Sequence, residues 1–566
     1  MSGEPITITV DGREIEAPAG QMLVDAAKHG DVEIPVFCYE PKLGPPVGAC
    51  RMCLVEIEGI PKLQTACSTP VRDGMVIHTR NEQVSQAQNA VVEFLLVNHP
   101  LDCPVCDKGG ECPLQDIAMG WGPGRSRFTE AKRHFEKPVE LSPLVAIDRE
   151  RCILCYRCVR FSQEISEDSQ LQLLERGDRS YVGTFDDRPY VAPFHGNITE
   201  LCPVGALTNY TYRFRARPWD IEEGGSLCTL CPSQCNVKYT IRDERVVRVL
   251  ARDNEEVDDG WLCDRGRYGF EMWGSDDRLP APQVREAGVL REASWAEALE
   301  RAAQGLRAAG ARTGLLVGDA SNEEGYLLQR LLREGLGSGD LDSRLRPGAS
   351  RDALVALGAP ELGARVRDLD AAGAILVLGT DPLESSPILD LRIRKAVRRA
   401  GARLLVAGER PTALDGGAIA GARYAPGAAA PWLAALAAAI RNDDAASDAP
   451  ADAASDAPTD NAADSTGRGA SAAGDAATAK GDGAGHLPDG VADVAAELRG
   501  AERIVVVWGE RLAAEPGAVA ALLDLAGALG LDAAGLLEVP ELANGRGLRE
   551  VGVLPDAGPG LSLIHI

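Results

Sequence analysis

The sequence predicts a cysteine-rich α+β region followed by an α/β domain with a mostly parallel sheet. All 15 cysteines of the 566 residues lie between Cys38 and Cys263, and most of them occur in pairs separated by two residues. From residue 295 onward, helix-like segments alternate with short apolar runs, which is the pattern of βαβ units. The length allows roughly three or four domains.

Composition and charge narrow the functional class. The N-terminus, Met1-Ser-Gly-Glu-Pro, has no basic segment followed by an apolar run, so we expect no signal peptide. We find no run of about 18 apolar residues and expect no direct membrane span. In a reducing cytoplasm, clustered thiols hold metals rather than form disulfides. The net charge of −25 argues against a nucleic-acid partner.

Residues 1–80 form the first predicted domain. Strand-like alternation over Ile6–Val10 and Arg13–Ala17 flanks Asp11-Gly12, which is a strong hairpin signal. Met22–Lys28 predicts a short helix that ends at a glycine. Four cysteines follow, namely Cys38, Cys50, Cys53 and Cys67.

The hairpin, the helix and the cysteine-bearing loop resemble the plant-type ferredoxin (β-grasp) fold, and this resemblance implies one [2Fe–2S] cluster. The plant-type spacing places four residues between the first two cysteines, whereas here the gap runs from Tyr39 to Ala49. Gly44, Pro45 and Gly48 predict a shaped loop in that gap. A zinc site is the alternative for these four thiols.

Residues 81–120 form the second predicted domain. A helix is expected over 81–98, with one face that includes Val84, Val91 and Phe94. His99 follows this helix, and three cysteines follow His99, namely Cys103, Cys106 and Cys112. Thiolates select iron–sulfur clusters, zinc or Cu(I), so a structural zinc site with three cysteines and one histidine is the alternative.

The stretch HPLDCPVCDKGGECPLQD, preceded by GACRMCLVE, resembles the large iron–sulfur subunit of respiratory complex I, the proton-pumping NADH:quinone oxidoreductase (its G subunit, of the 75 kDa type). The resemblance is strong over about the first 280 residues and loose afterwards. It implies that His99 and the three cysteines bind a [4Fe–4S] cluster.

Residues 121–218 carry Cys152, Cys155, Cys158 and, much later, Cys202. Bacterial two-cluster ferredoxins repeat C-x2-C-x2-C-x3-C-P twice, and each fourth cysteine binds the other cluster. In that scheme Ser162, Ala192, His195 and Ile198 stand where one cluster would have its cysteines. The region therefore resembles a half-erased ferredoxin with one [4Fe–4S] cluster, unlike iron-only hydrogenases, and His195 is expected to be an ordinary histidine.

Residues 219–275 contain Cys228, Cys231, Cys235 and Cys263. This spacing resembles the [4Fe–4S] module that opens molybdopterin oxidoreductases, with zinc as the alternative. Those enzymes usually place a lysine after the fourth cysteine, whereas Asp264 follows here. That departure matches the complex I family, and in that family the extra cluster lies off the main electron route.

We number the predicted metal-ligand sets in chain order. They are site 1 (Cys38, Cys50, Cys53, Cys67), site 2 (His99, Cys103, Cys106, Cys112), site 3 (Cys152, Cys155, Cys158, Cys202) and site 4 (Cys228, Cys231, Cys235, Cys263). One [2Fe–2S] and three [4Fe–4S] clusters need sixteen protein ligands, and the 15 cysteines together with His99 supply that number. This closure argues against scattered zinc sites.

Residues 276–566 are expected to form the α/β domain, which resembles the molybdopterin-oxidoreductase fold. The predicted helices are Trp295–Ala309, Asn322–Gly337, Ile388–Ala400 and Ala514–Leu529. The predicted strands are Thr313–Gly318, Gly373–Gly379, Arg403–Ala407 and Ala501–Trp508, of which the first and the last are expected to be buried. The loop 379–387 resembles the nucleotide-side loop of that fold. No cysteine follows Cys263, so we expect no molybdenum cofactor; a serine or aspartate ligand is the alternative.

Two further segments stand apart in composition. Residues 441–490 are mostly Ala, Asp, Ser, Thr and Gly, so they cannot bury enough apolar surface and predict a disordered insertion. Residues 558–566 complete no element, so the α/β domain is expected to be incomplete at its C-terminus.

The resemblance implies an electron-transfer subunit of NADH:quinone oxidoreductase, with sites 1, 2 and 3 redox-active. Its partners would be the flavoprotein NADH-binding subunit and other peripheral iron–sulfur subunits, at the cytoplasmic side of the membrane. No site for NADH is expected in this chain. The alternatives are a molybdenum- or tungsten-dependent formate dehydrogenase alpha chain and a non-catalytic scaffold stapled by clusters. A neutral imidazole in place of a thiolate predicts a raised potential at site 2.

Overall fold

The computed structural model describes residues 4–137, 139–346, 351–357, 359–447, 487–531 and 535–555. The chain divides into two compact units. The first takes in the described residues of 4–343, 381–399 and 540–555, and the second those of 344–380 and 400–539. Among the described helices, none combines the length and apolar character needed to cross a bilayer.

The elements are numbered in chain order. The strands are β1 Pro5–Val10, β2 Arg13–Pro18, β3 Leu54–Ile57, β4 Gln64–Thr65, β5 Val76–His78, β6 Val139–Glu140, β7 Val145–Ile147, β8 Leu171–Leu174, β9 Tyr181–Thr184, β10 Leu207–Asn209, β11 Glu222–Leu227, β12 Asn236–Arg242, β13 Arg245–Ala251, β14 Gln283–Glu286, β15 Val289–Glu292, β16 Leu315–Leu316, β17 Leu341–Asp342, β18 Ala374–Leu378, β19 Arg403–Gly408, β20 Ala420–Arg423, β21 Ile504–Gly509 and β22 Leu536–Val539. The helices are α1 Leu23–Ala26, α2 Glu82–Val97, α3 Pro113–Trp121, α4 Arg157–Arg160, α5 Asn197–Leu201, α6 Asp264–Tyr268, α7 Trp295–Ala309, α8 Asn322–Arg330, α9 Arg351–Leu357, α10 Pro382–Ser385, α11 Pro387–Lys395, α12 Ala429–Ser447, α13 Val491–Arg499, α14 Glu510–Ala513, α15 Ala518–Leu529 and α16 Gly545–Glu550.

The N-terminal sheet has the strand order β2-β1-β5-β3-β4. Strands β1 and β2 pair antiparallel with Val10 opposite Arg13, which confirms the predicted hairpin. Asp11 and Gly12 both have positive φ, at 48° and 79°, as a two-residue turn that matches strand twist requires. Strand β5 then pairs parallel with β1 and antiparallel with β3. This sheet holds the segments that carry the first four cysteines.

Helix α2 confirms the helix expected over 81–98. The Asn81 side chain caps it by accepting a hydrogen bond from the Val84 N–H, at 2.9 Å. Its buried residues are Val84, Gln88 and Val92. The predicted buried face was wrong at Phe94, which is 78% exposed. The fully buried residues of α2 are spaced four apart along the helix, and Phe94 lies outside that stripe.

The cysteine-bearing middle of the chain is built from small sheets and short helices. Strands β10, β7 and β6 form one antiparallel sheet, β8 and β9 form a hairpin, and β11, β12 and β13 form an antiparallel meander. Buried residues from Ile8 to Phe270 form one continuous apolar core through this region. Loops between these elements therefore lie on a packed scaffold.

The remainder of the first unit begins with the hairpin β14–β15 and helix α7, whose bounds match the predicted helix. The expectation of a buried strand over Thr313–Gly318 was wrong in part. Only Leu315–Leu316 form a strand, and Leu316 is 72% exposed, because β16 pairs with β17 alone and one face stays uncovered. Helices α4, α8 and α11 each continue into a π-helical turn, and for α8 and α11 this completes the predicted helices.

The second unit contains a parallel sheet of strand order β20-β19-β18-β21-β22. Strands β18, β19 and β21 confirm the strands predicted at 373–379, 403–407 and 501–508. Every residue of β18, the central strand, is buried. Helices α12, α13 and α15 pack in the core of this unit. The helix expected from Ala514 begins at Ala518, and Glu510–Ala513 form a separate turn.

Three predictions on the second half stay open or change. Most of the predicted insertion, at 448–486, lies outside the described residues, and so does the chain end at 558–566. Residues 441–447 continue helix α12 rather than begin the insertion, because extending a helix that is already nucleated over 429–440 costs little. The predicted domain boundaries and the predicted nucleotide-side loop at 379–387 stay predictions.

Candidate metal centres

The cysteines are placed as unpaired thiols. All 15 lie within the described ranges and none forms a disulfide. Twelve are buried, Cys50 and Cys152 are half-buried, and Cys103 is exposed. Among the described residues, no three His, Cys, Asp or Glu side chains stand as ligands of one metal ion. In an iron–sulfur cluster the thiolates are distributed over several irons, so the ligands of one cluster need not converge on a single metal ion.

Site 1 brings its four cysteines together around the start of β3. The Cys67 N–H donates to Cys53 Sγ at 3.5 Å. A hydrogen bond with Cys38, then burial, raises the pKa of the Cys50 thiol far above its usual range. Adjacent buried thiols resist ionisation in this way unless a cation is present, and a coordinating metal reverses the effect.

The long gap in site 1 is explained by its docking on site 3. Arg160 lies in α4, two residues after Cys158, and only 6% of its side chain is exposed. Its Nη2 donates to the carbonyls of Leu43 at 3.1 Å and Pro45 at 2.8 Å. The extra residues between Cys38 and Cys50 thus form a loop whose carbonyls bind a buried guanidinium.

Site 2 begins where α2 ends. His99 follows the C-cap residue Asn98, and its Nδ1 is buried with no hydrogen-bond partner among the described residues. Burial, then the positive charges of Arg151 and Lys132, lowers the pKa of His99 to about 4. The imidazole is therefore neutral at pH 7, which is the form that binds metals.

The three cysteines of site 2 lie on a tight loop that leads into α3. A Cβ at Gly109 would lie 2.8 Å from the Cys103 carbonyl, and Gly110 has φ of 96°, so both positions need glycine. Burial raises the pKa of Cys106 and of Cys112, and each feels the charge of a neighbouring thiol of this loop. No hydrogen bond joins His99 to these thiols in the described part of the chain.

Site 3 is built on a strained turn. Leu154 and Tyr156 have positive φ values of 52° and 67° and flank Cys155, and Cys158 lies in α4, which begins at Arg157. Burial raises the pKa of Cys152 to about 12, and the Cys202 thiol adds to this effect. Non-glycine residues in this conformation store strain, which is typical of functional sites.

Of the four positions that ferredoxin cysteines would occupy beside site 3, Ala192 and Ile198 are buried apolar residues, and His195 and Ser162 make polar contacts. His195 is buried, its Nε2 lies 2.9 Å from Ser142 Oγ, and its Nδ1 lies 2.7 Å from the Ala192 carbonyl. Burial opposes its protonation, but the hydrogen bond and charge of Asp264 prevail and raise the pKa of His195. Ser162 Oγ donates to Asp168 in turn. These contacts are those of an ordinary buried histidine.

Site 4 closes between β11, β12 and α6. The Cys228 N–H donates to the Cys235 carbonyl at 2.8 Å, and Cys263 caps α6 by accepting from the Gly266 N–H at 3.4 Å. Burial raises the pKa of Cys263 to about 12, with added repulsion from Cys231 and Cys228. All four thiols of this site are buried.

Sequence reasoning missed the residues that hold site 4 against site 3. Asp264, which stands where a molybdopterin enzyme would have lysine, accepts from the Gly196 N–H at 2.8 Å and donates its own N–H to the Pro193 carbonyl. Arg267 is 1% exposed, pairs with Glu200, and donates to Asn197 Oδ1 at 2.9 Å. The only sequence signal was the charged run that follows Cys263.

Sites 2 and 3 are in direct contact. The Cys112 thiol donates to the carbonyl of Pro203, the residue after Cys202, with the two heavy atoms 3.7 Å apart. A Cβ at Gly205 would lie 2.1 Å from Cys106 Sγ. Site 3 therefore contacts the segments of all three other sites.

The donor sets fit iron–sulfur clusters. Each of sites 1, 3 and 4 presents four thiols in electrostatic contact. Site 2 presents three thiols on one loop, and His99 precedes that loop with a buried Nδ1 that lacks a partner among the described residues. Soft thiolate sets of this kind select iron–sulfur clusters or zinc.

Five family models match the chain in succession. They are a 2Fe-2S iron-sulfur cluster binding domain at 3–82, the NADH-ubiquinone oxidoreductase-G iron-sulfur binding region at 88–127, the ferredoxin-like domain of NADH-quinone oxidoreductase subunit 3 at 142–208, the molybdopterin oxidoreductase Fe4S4 domain at 224–273 and molybdopterin oxidoreductase at 278–447. This order confirms the predicted fold class, with iron–sulfur modules before a molybdopterin-oxidoreductase-like domain.

Three similar proteins bear on function. The G subunit of NADH-quinone oxidoreductase from Streptomyces coelicolor is 38% identical over 98% of this chain and 62% of its own length. NADH-quinone oxidoreductase subunit 3 of Thermus thermophilus is 42% identical over 69% of this chain and 53% of its own. NADPH-Fe(3+) oxidoreductase subunit alpha of Geobacter sulfurreducens is 34% identical over 98% and 66%. The chain thus spans between about half and two thirds of these relatives.

Proposed function

Because the chain belongs to the family of the NADH-quinone oxidoreductase G subunit, we propose that it is an electron-transfer subunit of respiratory complex I. In this role it carries single electrons from a flavin-bearing subunit, which oxidises NADH, towards quinone. The match to a relative of that name over 98% of the chain supports the proposal.

The proposed cofactors are one [2Fe–2S] cluster at site 1 and one [4Fe–4S] cluster at each of sites 2, 3 and 4. Family models for 2Fe-2S and 4Fe-4S binding domains that cover these segments support this assignment. When bound, such clusters accept and donate single electrons. The chain itself supplies thiolates and one imidazole, buries them, and excludes water from most of them.

The observation that carries the proposal is the contact of site 3 with sites 1 and 2. Arg160 of site 3 binds the Leu43 and Pro45 carbonyls of the site 1 loop, and Cys112 Sγ of site 2 lies 3.7 Å from the Pro203 carbonyl of site 3. Electron transfer between clusters needs short distances, and these contacts support a relay through sites 1, 2 and 3. The segment of site 4 contacts site 3 through Asp264, the site 1 loop through the Asp253–Lys42 pair, and site 2 through the Arg248–Glu111 pair at 2.9 Å. A side branch or a structural role for site 4 therefore rests on the resemblance to the complex I family.

Partner subunits are proposed on the same basis. The relatives are named as subunits, so the chain would assemble with a flavoprotein and further iron–sulfur subunits in a membrane-associated complex, on its cytoplasmic side. Large apolar side chains exposed near site 2 support a partner surface there, namely Leu101, Val105, Phe214 and Trp219. Exposed apolar patches mark such interfaces.

Metal analysis tests the proposal. Plasma mass spectrometry of anaerobically purified protein should find about 14 iron atoms per chain, no molybdenum or tungsten, and negligible zinc. Stoichiometric molybdenum or tungsten would favour the formate dehydrogenase alternative instead, since a molybdopterin oxidoreductase model matches 278–447. Zinc in place of iron would contradict the electron-transfer role.

A second candidate follows from the Geobacter relative, which matches the same 98% of the chain. The same proposed clusters would then carry electrons in an NADPH-dependent reduction of Fe(III). Assay of the assembled complex with quinone and with chelated Fe(III) separates the two, because only the first candidate predicts faster turnover with quinone. Clusters that stay oxidised under NADH and NADPH would favour the scaffold alternative.

A further inference from the structure

Arg151 is a buried arginine between site 2 and site 3. It directly precedes Cys152, and only 6% of its side chain is exposed. Its Nε and Nη2 donate to Asp102 Oδ2, at 3.2 and 2.9 Å. Asp102 directly precedes Cys103, so one guanidinium joins the chain beside a site 2 ligand to the chain beside a site 3 ligand.

The carboxylates around Arg151 hold the guanidinium in a fixed orientation. Its Nε lies 3.2 Å from Asp148 Oδ2. Lys137 lies 2.9 Å from Asp102 and 2.6 Å from Glu150, so a second cation shares the negative charge of this network. Three carboxylates and two cations thus form the network, and Asp102 and Asp148 fix the guanidinium on two sides.

One nitrogen of Arg151 is left over. Nη1 is buried and donates to none of the described residues. An N–H buried without an acceptor is costly, so this atom is aimed at an acceptor that the described polypeptide does not supply. In site 2, His99 Nδ1 is likewise buried without a hydrogen-bond partner among the described residues.

The side chain of Arg151 lies beside the thiols of site 2. A Cβ at Gly205 would lie 2.1 Å from Cys106 Sγ and 3.7 Å from Arg151 Cδ, so the thiol and the arginine stem flank the same small space.

We propose that Arg151 presents its Nη1–H group to a sulfur of the cluster at site 2 and raises the reduction potential of that cluster. The inference rests on the proposed function, since it takes a cluster at site 2 as given. Reduction adds one negative charge, and a cation held close in a dry environment favours the reduced form. Hydrogen bonds to cluster sulfurs and net charge are two of the factors that set these potentials. Arg151 is thus a positioning and tuning residue, not a ligand.

The test is a redox titration of the assembled complex that carries Arg151→Gln in the full-length chain. Low-temperature electron paramagnetic resonance follows each cluster, and the signal of site 2 is assigned by its loss in Cys106→Ala. We expect Arg151→Gln to shift the midpoint potential of site 2 to a more negative value, with that of site 1 unchanged. Arg151→Lys keeps the positive charge but lacks the several N–H donors of the guanidinium. Its shift in the midpoint potential of site 2 should therefore have the same sign and be smaller.

Arg149→Gln is the matched control. Arg149 lies in the same short 3-10 helix, Arg149–Arg151, but its Nη2 pairs with Asp187 and its guanidinium stacks on Tyr181, 4.5 Å from the ring centre. Arg149→Gln should therefore leave the midpoint potential of site 2 unchanged.

An unshifted midpoint potential of site 2 in Arg151→Gln with full iron content, or an equal shift in Arg149→Gln, would overturn the inference. If Arg151→Gln loses iron, an unshifted potential in Arg151→Lys overturns it instead. Wild-type protein without iron would contradict the proposed function itself.

Discussion

The backbone carbonyl of Tyr39 accepts a hydrogen bond from Arg157 Nη2. Tyr39 follows the first cysteine of site 1, and Arg157 lies between Cys155 and Cys158 of site 3. Only 15% of the Arg157 side chain is exposed, so a buried charge joins the two sites. With Arg160, it makes α4 both a carrier of site 3 ligands and a clamp on the site 1 loop.

Arg157→Gln should loosen site 1 without removing any of its ligands. The Tyr39 carbonyl would lose a charged donor, which costs about 1–3 kcal/mol where the acceptor is left unsatisfied. We expect the [2Fe–2S] signal to be lost several-fold faster than in wild type when an iron chelator is added, followed by visible circular dichroism. The exposed Arg176, mutated to Gln, is the control and should behave as wild type. Equal rates in all three proteins would contradict the clamp.

Gly205→Ala should damage site 2 although the substitution lies in the segment of site 3. The added Cβ would lie 2.1 Å from Cys106 Sγ, far inside van der Waals contact, so the thiol must move. We expect a loss of about four iron atoms of the roughly 14 per chain, measured by plasma mass spectrometry. Gly120→Ala in α3 is the matched control, because a Cβ there meets nothing within 4 Å. Full iron content in Gly205→Ala would show that the two segments are not packed as described.

The sequence predicted what local spacing encodes. The hairpin around Asp11-Gly12 and the parallel strand Gly373–Gly379 follow from residue types that are neighbours in the chain. Prediction from neighbouring residues failed where burial depends on segments that are distant in sequence. The run around Leu316 has the composition of a buried strand, yet β16 pairs with β17 in a two-stranded sheet and Leu316 is exposed. Phe94 failed for the same reason, since the partners of α2 select a different stripe.

The candidate sites show the same division. Cysteine spacing and the resemblance to ferredoxins and to the complex I family grouped the predicted ligands, and the structure brings the four thiols of each of sites 1, 3 and 4 into electrostatic contact. The contacts between sites could not be predicted this way. Arg160 and Leu43 are 117 residues apart, and Cys112 and Pro203 are 91 residues apart, so no local pattern links them. Asp264 was noticed as a departure from a motif, but its bond to Gly196 required the fold.

His195→Gln should destabilise the protein in a pH-dependent way. Because Asp264 raises the pKa of His195 above 6.5, the charged pair contributes its full stability below pH 6.5 and loses it as pH rises through the folded pKa. The urea concentration that halves cluster absorbance should therefore differ more between wild type and His195→Gln at about pH 6 than at about pH 9. The exposed His29, mutated to Gln, should show no such difference. A difference that grows with pH would contradict the assigned pair.

His99→Cys should lower the reduction potential of site 2. Burial keeps the imidazole neutral at pH 7, since the pKa of His99 is lowered to about 4. A thiolate at this position would add one negative charge to the ligand set and disfavour reduction, the converse of the effect of histidine ligands in Rieske centres. Redox titration by electron paramagnetic resonance should find a more negative midpoint potential at site 2, with iron content kept. His99→Ala tests ligation separately, because it should cost site 2 its cluster. An unchanged potential in His99→Cys would mean that His99 does not bind the cluster.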